Sequence, residues 1–142
     1  MIGIVLVTHG NLALEMLATA EYIVGPQKNV SSVCFFPEDD MSKKLAELSE
    51  KVKEVNTGDG VVLLTDMFGG TPSNLAISLM EKNKVEVLAG LNLPMLIKLV
   101  RERERMPLNK VVFAAKEAGQ KYINIASELL APEKAENGVQ KD

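Results

Sequence analysis

The chain has 142 residues, 46% of them hydrophobic, with a net charge of −3, which fits one domain around a single sizeable core. Mild acidity gives no electrostatic reason for a nucleic-acid partner, and no stretch approaches the roughly 18 apolar residues of a membrane span. One histidine and one cysteine exclude an internal disulfide and a His/Cys zinc site within one chain.

Ile2 to Val7 (IGIVLV) is a nearly unbroken apolar run, as expected of a parallel strand buried on both faces. It begins without a charged n-region or cleavage site, which places the protein in the cytoplasm. Thr8-His9-Gly10-Asn11 breaks the run, and Leu12, Met16, Ala20, Ile23 and Val24 then recur at helical spacing with Asn11 as N-cap. Val30 to Phe36 reads as a second strand carrying an inert Cys34, and Met41, Leu45, Leu48, Val52 and Val55 as an amphipathic helix. Val61 to Thr65 is a third strand. After Asp66-Met67-Phe68-Gly69-Gly70, Thr71 serves as N-cap and Pro72 as the first residue of a helix carrying Leu75, Leu79 and Met80. Lys84 to Ala89 forms a fourth strand, Pro94 opens a further helix, and Asn109 caps a last one ending near Gly119. Lys121 to Ala126 looks extended again. Arg101 to Arg105 alternates in charge, the pattern of a solvated helix face.

Strands alternating with helices predict an α/β fold: a doubly wound, mainly parallel four-stranded sheet with helices on both faces and a short antiparallel C-terminal edge strand. The domain spans 1–131, and 132–142 is a disordered charged tail.

In such sheets ligands bind at the carboxyl ends of the strands. His9 and Asp66 both fall there, and they emerge side by side if strands one and three are neighbours. A carboxylate on Nδ1 of an imidazole fixes its tautomer, leaves Nε2 as an outward nucleophile and stabilises the charge that follows attack. Gly10, Gly69 and Gly70 keep side chains clear of a phosphate, and Thr71 can donate its hydroxyl to it. Met67 and Phe68 flank Asp66 as an apolar collar for a docking partner. Neither a P-loop nor a dinucleotide fingerprint is present.

The stretch Val5-Leu6-Val7-Thr8-His9-Gly10, then Leu64-Thr65-Asp66-Met67-Phe68-Gly69-Gly70-Thr71-Pro72-Ser73-Asn74, then Ala89-Gly90-Leu91-Asn92-Leu93-Pro94-Met95-Leu96 resembles the IIA component of the mannose family of the bacterial phosphoenolpyruvate-dependent sugar phosphotransferase system. The resemblance runs from Met1 to Ala126. It implies a phosphocarrier in which His9 takes a phosphoryl group on Nε2 from phospho-HPr and passes it to a IIB component, with Asp66 orienting His9 and Thr71 contacting the phosphoryl group. It also implies a homodimer in which residues 121–126 are exchanged between subunits, with neither metal nor cofactor, and it leaves open peripheral association with a IIC/IID permease. Glu38 stands where many members have Gly, and no IIB domain follows in the chain, which makes the acceptor a separate protein.

Two other readings stand beside this one. The phosphotransfer subunit of dihydroxyacetone kinase resembles this fold and also uses an early histidine. A flavodoxin-like module would instead hold an anion or nucleotide at its strand ends without catalysis.

Overall fold

A computed structural model describes residues 1–130; the expected tail at 132–142 lies outside the described residues. The elements are β1 (Gly3–His9), α1 (Leu12–Val24), β2 (Val30–Phe35), α2 (Met41–Val55), β3 (Val61–Thr65), α3 (Thr71–Ser78), β4 (Val85–Ala89), α4 (Leu93–Glu102), α5 (Leu108–Lys121) and α6 (Ala126–Leu129). The four strands form one parallel sheet in the order β2-β1-β3-β4, with β1 in the middle as its unbroken apolar sequence requires. Alternate strand residues feed two cores. Ile4, Leu6, Val62, Leu64 and Leu88 face α1, α4 and α5, whereas Val5, Val7, Val33, Leu63 and Val85 face α2 and α3. Gly3 is dictated by packing: a side chain there would run into the Val55 carbonyl at the end of α2.

Several local expectations give way to tertiary contacts. Asn11 occupies the cap position of α1 but makes no capping bond. The fully buried hydroxyl of Thr8 instead accepts the Ala13 N–H at 2.7 Å, which satisfies both a buried polar group and a free helix amide. Gly70, not Thr71, caps α3, so Thr71 and Pro72 are its first two residues, and the helix stops at Ser78, before Leu79 and Met80. Pro107, not Asn109, precedes α5, which continues past Gly119 to Lys121. Gly119 is not a stop signal. A Cβ there would sit 2.9 Å from Met95 Cε, and its carbonyl accepts the Asn92 amide at 2.9 Å, so the glycine permits close approach of α4 and α5.

The expected C-terminal edge strand is absent among the described residues. Residues 123–125 pair with no strand, and Ala126–Leu129 makes one helical turn instead. So short an extended piece gains too few ladder bonds to order against its own sheet.

The alternating-charge segment also departs from its pattern. Arg101, Glu104 and Arg105 are exposed, but Arg103 is only 2% exposed. It follows α4 directly and sends its guanidinium under the amino ends of β1 and β2. There it donates to the carbonyls of Ile2 (3.0 Å), Asn29 (3.2 Å) and Lys28 and to Gln27 Oε1 (3.2 Å). The Asn29 carbonyl also accepts the Ile4 N–H at 3.0 Å, and a planar guanidinium is the side chain that can serve several such acceptors at once. Burial pushes its pKa down, and Glu104 partly opposes the shift.

Candidate functional site

β1 and β3 are hydrogen-bonded neighbours with Val7 opposite Thr65. His9 therefore ends β1 just where Asp66 leaves β3. A single carboxylate oxygen, Asp66 Oδ2, accepts the His9 backbone N–H at 3.0 Å and lies 2.9 Å from His9 Nδ1. Oδ1 accepts the Met67 N–H at 2.9 Å and, at a long 3.4 Å, the Thr65 hydroxyl. The carboxylate is thus held from three backbone or side-chain directions besides the ring itself.

Partial burial pushes the Asp66 carboxyl up, but the His9 backbone N–H, the His9 ring and the Met67 N–H together outweigh it. The group titrates below the ordinary carboxylate range and is ionised at neutral pH. An ionised carboxylate can only accept, so Nδ1 carries a proton, and in the neutral imidazole the lone pair is the one on Nε2. The histidine side chain is 52% exposed, whereas Asp66 is 13% exposed. The imidazole faces solvent and the carboxylate is largely shielded from it.

The other side of the ring meets the Gly69-Gly70 turn. Gly69 has φ +93°, a left-handed conformation that favours glycine. Gly70 is extended, and its lack of a side chain has a different cause: a Cβ would lie 2.7 Å from His9 Cε1 and 2.9 Å from Nε2. The ring rests against the residue that caps α3, placing Nε2 beside a helix N-terminus, a natural seat for an anion.

The candidate phosphate contacts divide into two groups. The Gly10 N–H donates to the Phe35 carbonyl at 2.8 Å and the Gly69 N–H to Ser73 Oγ at 3.1 Å, so both are engaged. The N–H groups of Gly70, Thr71 and Ser73 have no acceptor among the described residues, while Pro72 has none to offer. Thr71 is exposed on the first turn of α3, and Met67 and Phe68, each 58% exposed, project from the loop beside Asp66. Sequence reasoning overlooked Thr8, Thr65 and Ser73. Each is a fully buried hydroxyl residue adjoining the site, and a polar residue directly after an apolar run, or just behind Gly-Gly, is the only trace such a role leaves in a sequence.

Among the described residues no helix is long and apolar enough to cross a membrane, and no three His, Cys, Asp or Glu side chains group as a metal site. The profile of the family described as "PTS system fructose IIA component" matches residues 3–116. The chain is 34% identical over 124 residues to the PTS system mannose-specific EIIAB component of Escherichia coli K12, covering 86% of this chain but 38% of that protein. It is 28% identical to the PTS system fructose-specific EIIA component of Bacillus subtilis, covering 96% of this chain and 94% of that one. Its fold is similar to the crystal structure of phosphotransferase system component EIIA from Streptococcus agalactiae, with a TM-score of 0.81 at 30% identity over 89% of this chain and 98% of that one.

Proposed function

Since the chain belongs to the family of PTS system fructose IIA components, we propose that it is a phosphocarrier that moves a phosphoryl group through His9. The observation that carries this reading is the double use of Asp66 Oδ2, which grips the His9 backbone N–H and faces Nδ1, so that Nε2 is the ring nitrogen turned away from the carboxylate, beside the N-terminus of α3. Nε2 attacks the phosphorus of the donor's phosphohistidine, and the new N–P bond forms as the donor's N–P bond breaks. The proton on Nδ1 stays in place throughout. Asp66 offsets the positive charge that the ring then acquires. The free N–H groups of Gly70 and Thr71 and the Thr71 hydroxyl hold the phosphoryl oxygens. Transfer to the acceptor is the same step in reverse.

Donor and acceptor are taken to be HPr and a separate IIB component, docking over Met67 and Phe68, in the cytoplasm and with peripheral association to a IIC/IID permease. The protein acts as a homodimer in this reading. Supporting it, Ile123, Ile125, Leu129 and Leu130 are all more than half exposed, and a groove of about 1020 Å³ lies open between α4 and α5, with Ile97, Ala118 and Tyr122 among charged residues such as Lys98, Glu117 and Lys121. Neither the kinase-subunit reading nor the flavodoxin-like one has an observation in its favour.

Intact-mass measurement after incubation with phosphoenolpyruvate, Enzyme I and HPr tests the proposal. The expected result is a gain of one phosphoryl group, acid-labile and base-stable, that is lost in His9→Ala. Labelling that persists in that variant would refute the assignment.

A further inference from the structure

We propose that Ser73 is a positioning residue for phosphoryl transfer, acting on His9 through the Gly69-Gly70 turn; this rests on the phosphocarrier reading above. Ser73 is the third residue of α3 and is fully buried. Its hydroxyl is used twice: it accepts the Gly69 N–H at 3.1 Å and donates to the Gly70 carbonyl at 3.0 Å. A serine in the first turn of a helix is free to point outward, where water satisfies it. Here it points back and closes a ring of hydrogen bonds around the two residues that precede the helix.

The significance lies in what those residues touch. Gly70 leaves no room between its Cα and the reacting edge of the imidazole, because even a Cβ would lie 2.9 Å from Nε2. Gly69 has no side chain to anchor it, and its left-handed φ of +93° gives the turn no preference that would survive without an external hold. Besides the Ser73 bond to the Gly70 carbonyl, three hydrogen bonds frame the loop from Asp66 to Gly70. Asp66 Oδ1 holds its start through the Met67 N–H, Ser73 Oγ holds its end through Gly69, and the Asn74 N–H bonds the Gly70 carbonyl at 3.0 Å. Only the Ser73 hydroxyl spans both glycines. It therefore fixes the gap between Gly70 and Nε2 and, with it, where the free N–H groups of Gly70 and Thr71 lie relative to the phosphorus. Asp66 sets the ring from the Nδ1 side and Ser73 sets the wall on the Nε2 side.

Removing the hydroxyl lets the turn move by a fraction of an ångström to about 1 Å, and misplacement on that scale slows a positioned transfer by roughly 10-fold to 100-fold. Ser73→Ala and Ser73→Cys are compared with the wild type in the full chain, well below the melting temperature of each. The readouts are the transfer rate from phospho-HPr and the NMR signal of the His9 Cε1 proton, the ring atom nearest Gly70. The expected result is that both folded variants transfer at least 10-fold more slowly, with a shifted or broadened Cε1 signal, and that the cysteine variant, which keeps a weak donor and acceptor, falls between alanine and wild type. A merely structural serine would lower the melting temperature while leaving the rate and the Cε1 signal of the folded protein unchanged, and that result in either variant overturns the proposal. If the wild type accepts no phosphoryl group, the phosphocarrier reading fails by itself, whereas the Cε1 signal still reports whether Ser73 governs the ring.

Discussion

Gly70→Ala separates the geometry of the reacting nitrogen from the stability of the fold. Gly70 has φ −110° and ψ 170°, a conformation alanine adopts without strain, so the backbone has no objection to the change. The new methyl does meet the imidazole, at 2.7 Å from Cε1 and 2.9 Å from Nε2. Carbon atoms in good contact sit about 3.5–4.0 Å apart, so the ring has to retreat by roughly 1 Å. It cannot do so while keeping Nδ1 2.9 Å from an Asp66 carboxylate that is itself pinned by the His9 and Met67 N–H groups. Misplacement of about 1 Å costs on the order of 100-fold in rate, or about 2.7 kcal/mol of barrier. Rapid-quench measurement of phosphoryl transfer from radiolabelled phospho-HPr, beside thermal unfolding followed by circular dichroism, should give that loss with stability changed by about 1 kcal/mol at most. Gly69→Ala is the control: its φ is +93° and nothing lies within 4 Å of a Cβ, so it should lose about 1–2 kcal/mol of stability and less activity. A Gly70→Ala protein that transfers within twofold of wild type would refute the idea that Nε2 is confined by this turn.

Asp66→Asn removes the charge and the acceptor-only character of the group facing Nδ1, and transfer should fall by about two orders of magnitude in a folded protein; wild-type rates would refute the role. The same residue has a pH signature. Its folded pKa is depressed, so its contribution to stability is fully present above the unfolded carboxylate pKa of about 3.9 and is lost as pH falls through the lower folded value. Urea midpoints measured from pH 6 down to pH 3 should therefore drop more steeply in the wild type than in Asp66→Asn. Arg103→Met strands the carbonyls of Ile2 and Lys28 and should destabilise by about 2–4 kcal/mol. Arg103 lies at the opposite end of the sheet from His9, so transfer below the melting temperature should be unchanged. Ending the chain after Tyr122 deletes the exposed Ile123, Ile125, Leu129 and Leu130 and should turn a dimer into monomers by light scattering, whereas ending it after Leu130 should not; a stable dimer from the shorter chain would exclude this segment from the interface.

The sequence by itself determined the order of strands and helices from β1 to α5, because apolar runs of β-branched residues and helical spacing are local properties of the chain. At the C-terminal turn it led instead to the expectation of a strand. It also determined that His9 and Asp66 follow strands one and three, and so lie at the same end of any parallel sheet built from them. Whether they meet was a question of strand order, and only the pairing of β1 with β3 brings Asp66 Oδ2 to 2.9 Å from Nδ1. The helix caps were misread in part for a related reason. Asn11 does precede α1, but the buried Thr8 hydroxyl, not the Asn11 side chain, takes a free amide of that helix. Gly70 and Pro107 stand as caps in place of Thr71 and Asn109; at Gly70 the close approach of His9 leaves no room for a side chain. Arg103 shows the same limit most plainly. Alternating charges describe a solvated helix face only until the carbonyls of Lys28 and Asn29 and the Gln27 side chain, more than seventy residues away in sequence, supply the acceptors that make burying one guanidinium favourable. Ser73 joins them: its hydroxyl is an ordinary feature of the sequence until the fold brings the back of the Gly-Gly turn against the reacting edge of His9.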